Sequence, residues 1–187
     1  REIGAGIQLD GLLTGNDRLQ LKGGYFGTDA RNYIATRVDM KRMRSYSYNV
    51  SRARIWGWDM QGNYQSDYFD WMLSYNRTES MDASSREWLG SGNPDTLISD
   101  ISIPVGHGGV SAGWRAELSA AATHVKKGDP HQAGYAVHSF SLSYKPVSVK
   151  GFEASVTLDN AFNKLAMNGK GVPLSGRTVS LYTRYQW

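Results

Sequence analysis

The stretch Thr178-Val179-Ser180-Leu181-Tyr182-Thr183-Arg184-Tyr185-Gln186-Trp187 decides the fold. Successive side chains of a strand point to opposite faces. Val179, Leu181, Thr183, Tyr185 and Trp187 therefore share one face, and Thr178, Ser180, Tyr182, Arg184 and Gln186 share the other. The apolar face ends in tryptophan and the polar face carries an arginine. Such a strand suits a barrel wall set in lipid around a wet interior better than it suits a soluble core.

The same alternation runs back through the chain. Ile3, Ala5, Ile7 and Leu9 oppose Glu2, Gln8 and Asp10, and after a turn at Thr14 to Asp17, Leu19, Leu21 and Tyr25 oppose Gln20 and Lys22. Trp56, Trp58, Met60 and Tyr64 lead through a turn at Gln65 to Asp67 into Phe69, Trp71, Leu73 and Tyr75. A third hairpin is predicted from Val110 to Trp114, turning at Arg115 to Glu117 into Leu118, Ala120 and Ala122. A fourth runs from Tyr135 to Tyr144, turns at Lys145 to Gly151, and continues through Phe152, Ala154, Val156 and Leu158. The connections near residues 15, 66, 116 and 148 read as short, and 36–50, 80–107, 126–134 and 161–177 read as long and rich in charge, Gly and Asn. Outer-membrane barrels show this asymmetry, with short periplasmic turns and long outer loops. The pattern predicts about nine strands, an odd number where single-chain bacterial barrels have even ones. An open sheet leaves edge groups unpaired, which hydrocarbon does not tolerate. Earlier strands are therefore expected outside this segment.

Composition narrows the alternatives. The chain has 187 residues, 40% hydrophobic, with a mean hydropathy of -0.48, and no run approaches the ~20 apolar residues of a spanning helix. That excludes a helical membrane protein. The absence of cysteine excludes disulfides, zinc–thiolate sites and thiol catalysis. A net charge of +4, with Lys and Arg spread among acids, gives no basic patch for nucleic acid. No metal site and no intrinsic cofactor are expected. The chain starts at Arg1 without a basic, apolar leader and reads as a fragment or processed product. A soluble β-sandwich or lipocalin-like barrel also alternates, but it would have to bury Trp56, Trp58, Trp71 and Trp187, all on apolar faces. A protease or lipase barrel is disfavoured because there is no Gly-x-Ser-x-Gly or spaced constellation of Asp, His and Ser.

Four stretches resemble the C-terminal end of the TonB-dependent outer-membrane receptors. Gly151 to Lys164 resembles the penultimate strand followed by an asparagine–aromatic signature, here Asn160-Ala161-Phe162-Asn163. Gly171 to Arg177 resembles the glycine–proline loop that ends in Gly-Arg, here Gly176-Arg177, before the last strand. That strand ends in an aromatic, and Tyr185 and Trp187 resemble the signal read by the barrel-assembly machinery. Upstream, Tyr48-Asn49-Val50 and Ala53 to Asp59 resemble a segment that precedes a Gly-x-Glu strand, with Asp59 in place of the glutamate. The resemblance implies an all-β transmembrane antiparallel barrel of 22 strands, plugged, of which residues 1–187 are the C-terminal part. The plug domain and the TonB box, through which the TonB complex acts, would lie in sequence outside this chain.

The resemblance also implies active uptake of a scarce nutrient, and is strongest to the haem and haemophore branch. Haem as transported ligand is the leading expectation, with an extracellular haem-carrier protein as a further candidate partner. A ferric siderophore, or a passive porin or adhesin barrel, is the alternative. Candidate contacts in outer loops are His107, His131, Trp88, Tyr46, Tyr48 and Tyr135, histidine and tyrosine being haem ligands and aromatics being common recognition anchors. His124 and His138 are placed on strands, where they could face each other across neighbouring strands as a structural pair, and Arg177 is read as a structural partner to a lumenal acid ahead of a substrate contact. The recognisable haem-ligand segment of that branch lies upstream of Arg1.

Overall fold

The computed structural model describes residues 1–39, 42–90, 94–129, 131–167 and 172–187. Nine antiparallel strands form one sheet in sequence order: β1 (Glu2–Asp10), β2 (Arg18–Asp39), β3 (Arg44–Gln65), β4 (Asp70–Asp82), β5 (Thr96–Val105), β6 (Val110–Ser119), β7 (Tyr135–Tyr144), β8 (Phe152–Asp159) and β9 (Thr178–Tyr185). Two adjacent rows of cross-strand partners carry the architecture. One runs Leu9, Leu19, Tyr64, Trp71, Ile101, Trp114, Phe140, Leu158, Val179 and is apolar from edge to edge. The neighbouring row runs Asp10, Arg18, Gln65, Asp70, Ser102, Gly113, Ser141, Thr157, Ser180 and carries no apolar side chain. One face is thus made for hydrocarbon and the other for water.

Among the described residues no second sheet or helical layer covers the apolar face. Leu181 is 72% exposed and Val156 45%, which a soluble sandwich or lipocalin-like barrel does not leave open on this scale. The buried hydrophobic residues among those described are few, and Ala35, Val50, Ala53 and Leu89 gather where the long β2–β3 hairpin meets the β4–β5 connection. On the apolar face, Tyr64, Trp71, Tyr144 and Tyr185 lie at the short-turn end and Trp56 and Trp58 lie toward the long-loop end. At about 3.3 Å per residue, Tyr64 to Trp56 spans roughly 26 Å of strand, close to the ~25 Å apolar band of an outer-membrane barrel once tilt is allowed for.

The short turns are 11–17, 66–69, 106–109 and 145–151, and the long connections 83–95, 120–134 and 160–177 lie at the opposite end with the tip of the β2–β3 hairpin. Three expectations need correction. Residues 36–39 and 44–50 are strand, because beyond an interruption at Asn32, β2 and β3 stay paired from Tyr33 opposite Val50 to Asp39 opposite Arg44. The predicted 80–107 loop contains β5, whose Asp100 and Pro104 obscure the alternation of Leu97, Ile101, Ile103 and Val105. Arg115 to Glu117 is no turn: β6 runs through it, with Arg115 opposite Asp100 on the polar face. The count of nine strands holds because dividing β6 in two and omitting β5 cancel.

Asp17 closes the first turn. Its carboxylate, almost fully buried, accepts hydrogen bonds from the Leu13 and Thr14 N–H groups (3.0 Å each at closest) and from the Tyr64 hydroxyl at 3.0 Å. Burial pushes the Asp17 carboxyl up, but the donors from Thr14, Leu13 and Tyr64 together hold it below its ordinary value. Asp17 thus stabilises the turn fully above the unfolded carboxylate pKa, and that support is lost as pH falls through the lowered folded value. Protection factors of the 11–17 amides, with the intrinsic pH dependence of exchange divided out, should stay high from pH 8 to 5 and fall below about pH 4, and Asp17→Asn should remove that fall.

The two faces make a separate prediction. Leu181→Lys, on the apolar face about four residues from the Tyr185 girdle, should cost about 2–4 kcal/mol of stability in lipid, whereas Ser155→Lys, on the polar face, should cost little. Equal tolerance in reversible unfolding from vesicles would refute the face assignment.

Candidate functional site at the long-loop rim

At the long-loop end the connections are tied to the strands by one aromatic and ionic cluster. Glu79 and Arg77 interrupt the apolar face of β4, opposite Trp56 and Trp58 on β3. The two pair with each other, and Arg77 also reaches Asp95 at 3.4 Å. Tyr75 donates its hydroxyl to Asp95 at 3.1 Å. His124 Nδ1 lies 2.9 Å from Glu79 Oε1, and its ring stacks on Trp88 with centroids 4.1 Å apart and planes 6° apart. Trp88 in turn packs 6.0 Å from Trp56. Lys126 donates to the Thr36 carbonyl and lies 5.7 Å over the Tyr48 ring. The β4–β5 and β6–β7 connections are therefore fastened to each other and to the β2–β3 hairpin.

The β8–β9 connection is organised by Asn160. Its side chain, almost fully buried, donates to the carbonyls of Lys164 (3.0 Å) and Ser175 (2.9 Å) and accepts from the Lys164 N–H at 2.7 Å. Its φ of 45° lies in the left-handed region, which asparagine tolerates better than most residues. Asn163 Oδ1 accepts the Arg177 N–H at 3.0 Å and sits 3.1 Å from where a Cβ on Gly176 would be. Phe162 stands edge-on to His138 and Phe140 on the apolar face. The asparagine–aromatic and Gly-Arg motifs are thus two halves of one loop clasp. Gly171 lies outside the described residues. Beneath the clasp, on the polar face, a cavity of about 220 Å³ is lined by Arg115, Glu117, Asp159, Asn160 and Ser175. It is smaller than the ~300–1,000 Å³ pockets that enclose whole ligands.

The individual candidates divide. Trp88 belongs to the rim cluster, and His131 is exposed on the β6–β7 connection, next to Pro130, which lies outside the described residues. His107 is corrected: it sits in the 106–109 turn at the short-turn end, because β5 returns the chain there first. Tyr46 and Tyr48 are strand residues of β3, half exposed, and not loop aromatics. Tyr135 opens β7 on the polar face and donates to Glu117 at 3.0 Å. His124 and His138 do not face each other: His124 leaves the sheet in the β6–β7 connection, and His138 stacks on Trp114 at 5.9 Å. Arg177 forms no ion pair among the described residues, and its backbone N–H is what the clasp uses. The Glu79–His124–Trp88 contact is not foreseen by sequence pattern alone. Its one signal is the charged pair Arg77 and Glu79 on a face otherwise built of Trp71, Leu73 and Tyr75. Lumenal Asp59 accepts from Asn76, as an acid at that strand position should, and Gly57 beside it has no room for a side chain, a Cβ falling 2.1 Å from the Arg77 carbonyl.

A sheet with one lipid face, one wet face, aromatic bands and loops long at one end only is the wall of an outer-membrane-type β-barrel. The chain belongs to the TonB-dependent receptor family: the family's β-barrel model matches residues 2–163. It is 40% identical over its whole length to the hemin receptor of Yersinia pestis, of which it covers 28%. It is 25% identical, over 87% of its length, to the TonB-dependent heme receptor A of Haemophilus influenzae, of which it covers 26%. Its fold matches the copper transporter OprC with a TM-score of 0.78 at 19% identity, over 97% of this chain and 31% of that one. The chain thus spans less than a third of the length of these relatives. Its barrel family resides in the outer membrane, which puts the short turns on the periplasmic side.

Asn160→Ala should cost about 1–3 kcal/mol through the groups it leaves unpaired and expose residues 160–177 to protease on intact cells. Asn160→Gly, which keeps the left-handed backbone, should expose the loop as well if the side-chain bonds are what hold it.

Proposed function

We propose that this chain is the C-terminal part of the barrel domain of a receptor that takes up haem with energy from the TonB system. The observation that carries the reading is the 40% identity to a hemin receptor across the whole chain. Residues 1–187 supply wall, outer loops and assembly signal, and no chemistry. The edges β1 and β9, which no pairing joins among the described residues, close against further strands of a 22-stranded, plugged barrel, and the coverage of 28% of that relative supports this. Tyr185 ends β9 on the lipid face and Trp187 follows it fully exposed, which suits recognition of the strand during assembly by edge pairing. Exposed Tyr46 and Tyr48 and the fastened loops offer a stiff outer surface, suited to a haem-carrier protein as well as to free haem. Mechanistically, loops hold cargo outside, the plug responds to occupancy, and the TonB complex rearranges the plug.

The full-length receptor purified in detergent should develop a Soret band that titrates near about one equivalent of haem, with ligands outside this chain. His107→Ala should leave haem-dependent growth unchanged, since that turn is periplasmic. An intact plugged barrel that binds no haem would overturn the substrate and favour a ferric siderophore.

A further inference from the structure

The β2–β3 hairpin outruns its neighbours. β4 pairs with β3 only as far as Ala53, opposite Asp82, whereas β3 continues with β2 alone from Arg52 up to Arg44. The Arg52 carbonyl accepts the last bond on the β4 side, from the Ala83 N–H at 2.9 Å. In an antiparallel strand the N–H and C=O groups of alternate residues point to the same edge. Arg44, Tyr46, Tyr48 and Val50 therefore aim their backbone groups the same way as Arg52, beyond the end of β4. Val50 is buried in the loop core with Leu89. Arg44, Tyr46 and Tyr48 are exposed, and on that edge their N–H and C=O groups find no backbone partner among the described residues.

An open edge is a template for a further strand, and natural sheets blunt it with charge, proline or a bulge. The stretch Ser45-Tyr46-Ser47-Tyr48-Asn49-Val50 has no charge and no proline, and its register with β2 is unbroken from Tyr33 opposite Val50 to Asp39 opposite Arg44. Height separates this edge from the membrane. At about 3.3 Å per residue, Tyr48 lies roughly 26 Å and Tyr46 roughly 33 Å along the strand beyond Trp56 of the upper girdle. Charge narrows the occupant. Residues 37–44 include Arg37, Lys41, Arg42 and Arg44 against the single acid Asp39, and Arg52 follows the uncharged stretch at its lower end. A second copy pairing about Tyr48 would set Arg44 against Arg52, and like charges opposite each other destabilise a strand pair. An acidic strand meets no such penalty.

We propose that the β3 edge from Arg44 to Tyr48 receives an extended acidic segment of an extracellular protein by strand addition. Backbone bonds from Tyr46 and Tyr48 give the affinity, and the tyrosine rings on one face, with Ser45 and Ser47 on the other, meet alternate side chains of the guest. Lys126, over the Tyr48 ring and bonded to the Thr36 carbonyl, braces the hairpin from the loop side, so the edge is presented already ordered. That the guest is a haem carrier rests on the haem-uptake reading; the strand-addition site does not.

The test uses the full-length receptor in detergent and the fluorescence anisotropy of a labelled seven-residue peptide of alternating valine and glutamate. This peptide should bind at least about tenfold more tightly than the same peptide N-methylated at every amide, or with lysine in place of glutamate. Tyr46→Pro removes an outward donor without touching the β2 ladder. It should weaken binding about tenfold, whereas Tyr46→Thr, which keeps the donor, should stay within about threefold of wild type. Both variants are checked for wild-type heat-modifiable migration, and the comparison of peptides needs no variant, so a misfolded proline variant leaves the site testable. No binding of the acidic peptide, equal binding of the methylated or lysine peptide, or equal loss from proline and threonine would overturn the proposal. A normal haem titration beside absent peptide binding would sink this site alone, and peptide binding beside a failed haem titration would sink the haem reading alone.

Discussion

Every backbone group that crosses hydrocarbon must be paired within the protein, and this one constraint organises the chain. Hairpin pairing of sequential strands meets it, and antiparallel register then has to keep apolar side chains in step across the sheet. The unbroken row from Leu9 to Val179, beside an unbroken polar row from Asp10 to Ser180, shows register held across all nine strands. A slip of one residue between any two strands would exchange the faces of everything beyond it.

Because the wall is bonded through its ladders and has little core, the ordered loops require other supports. At the short-turn end these are local: Asp17 gathers the donors of its own turn and one tyrosine from β3. At the long-loop end they are not local. Glu79 on β4 holds His124 across the position of β5, Trp88 stacks against that histidine, and Lys126 reaches back to β2 and β3. Charged residues placed at the upper girdle, where hydrocarbon gives way to headgroups, can pair without the full penalty of burial in lipid. The same boundary explains why Asp29, Arg31, Arg52 and Arg54 are tolerated on a face that is apolar a few residues lower.

Legibility differs by element. β1, β7, β8 and β9 alternate cleanly and are readable, as are the turns after Asp10, Gln65 and Tyr144. β5 is not, since Ser99 breaks its apolar face and Asp100 and Pro104, on the polar face, read as loop residues. β6 reads as two pieces because Arg115 and Glu117 look like turn residues when their partners Asp100 and Tyr135 are unknown. The loop histidine His107 is misplaced as a consequence, since omitting β5 puts its turn at the opposite membrane side, until the division of β6 restores the alternation for the later connections. The β8–β9 clasp is legible as motifs, Asn160-Ala161-Phe162-Asn163 and Gly176-Arg177, without its mechanism. That two motifs bond to each other across the loop is evident only from the fold.

By itself the sequence determined the class of structure: period-two alternation without a spanning helix, aromatics at strand ends, and loops long at one end only are local properties that hydrocarbon and water read independently in each strand. Tertiary structure alone decided which residues meet. Glu79 and His124 are 45 positions apart, Trp88 and Trp56 come from different elements, and Arg31 opposes Arg52 only through the register in which β2 and β3 pair. The physical reason is that alternation fixes the face of a side chain, whereas its neighbours depend on register and loop path, which are set by pairing across the sheet.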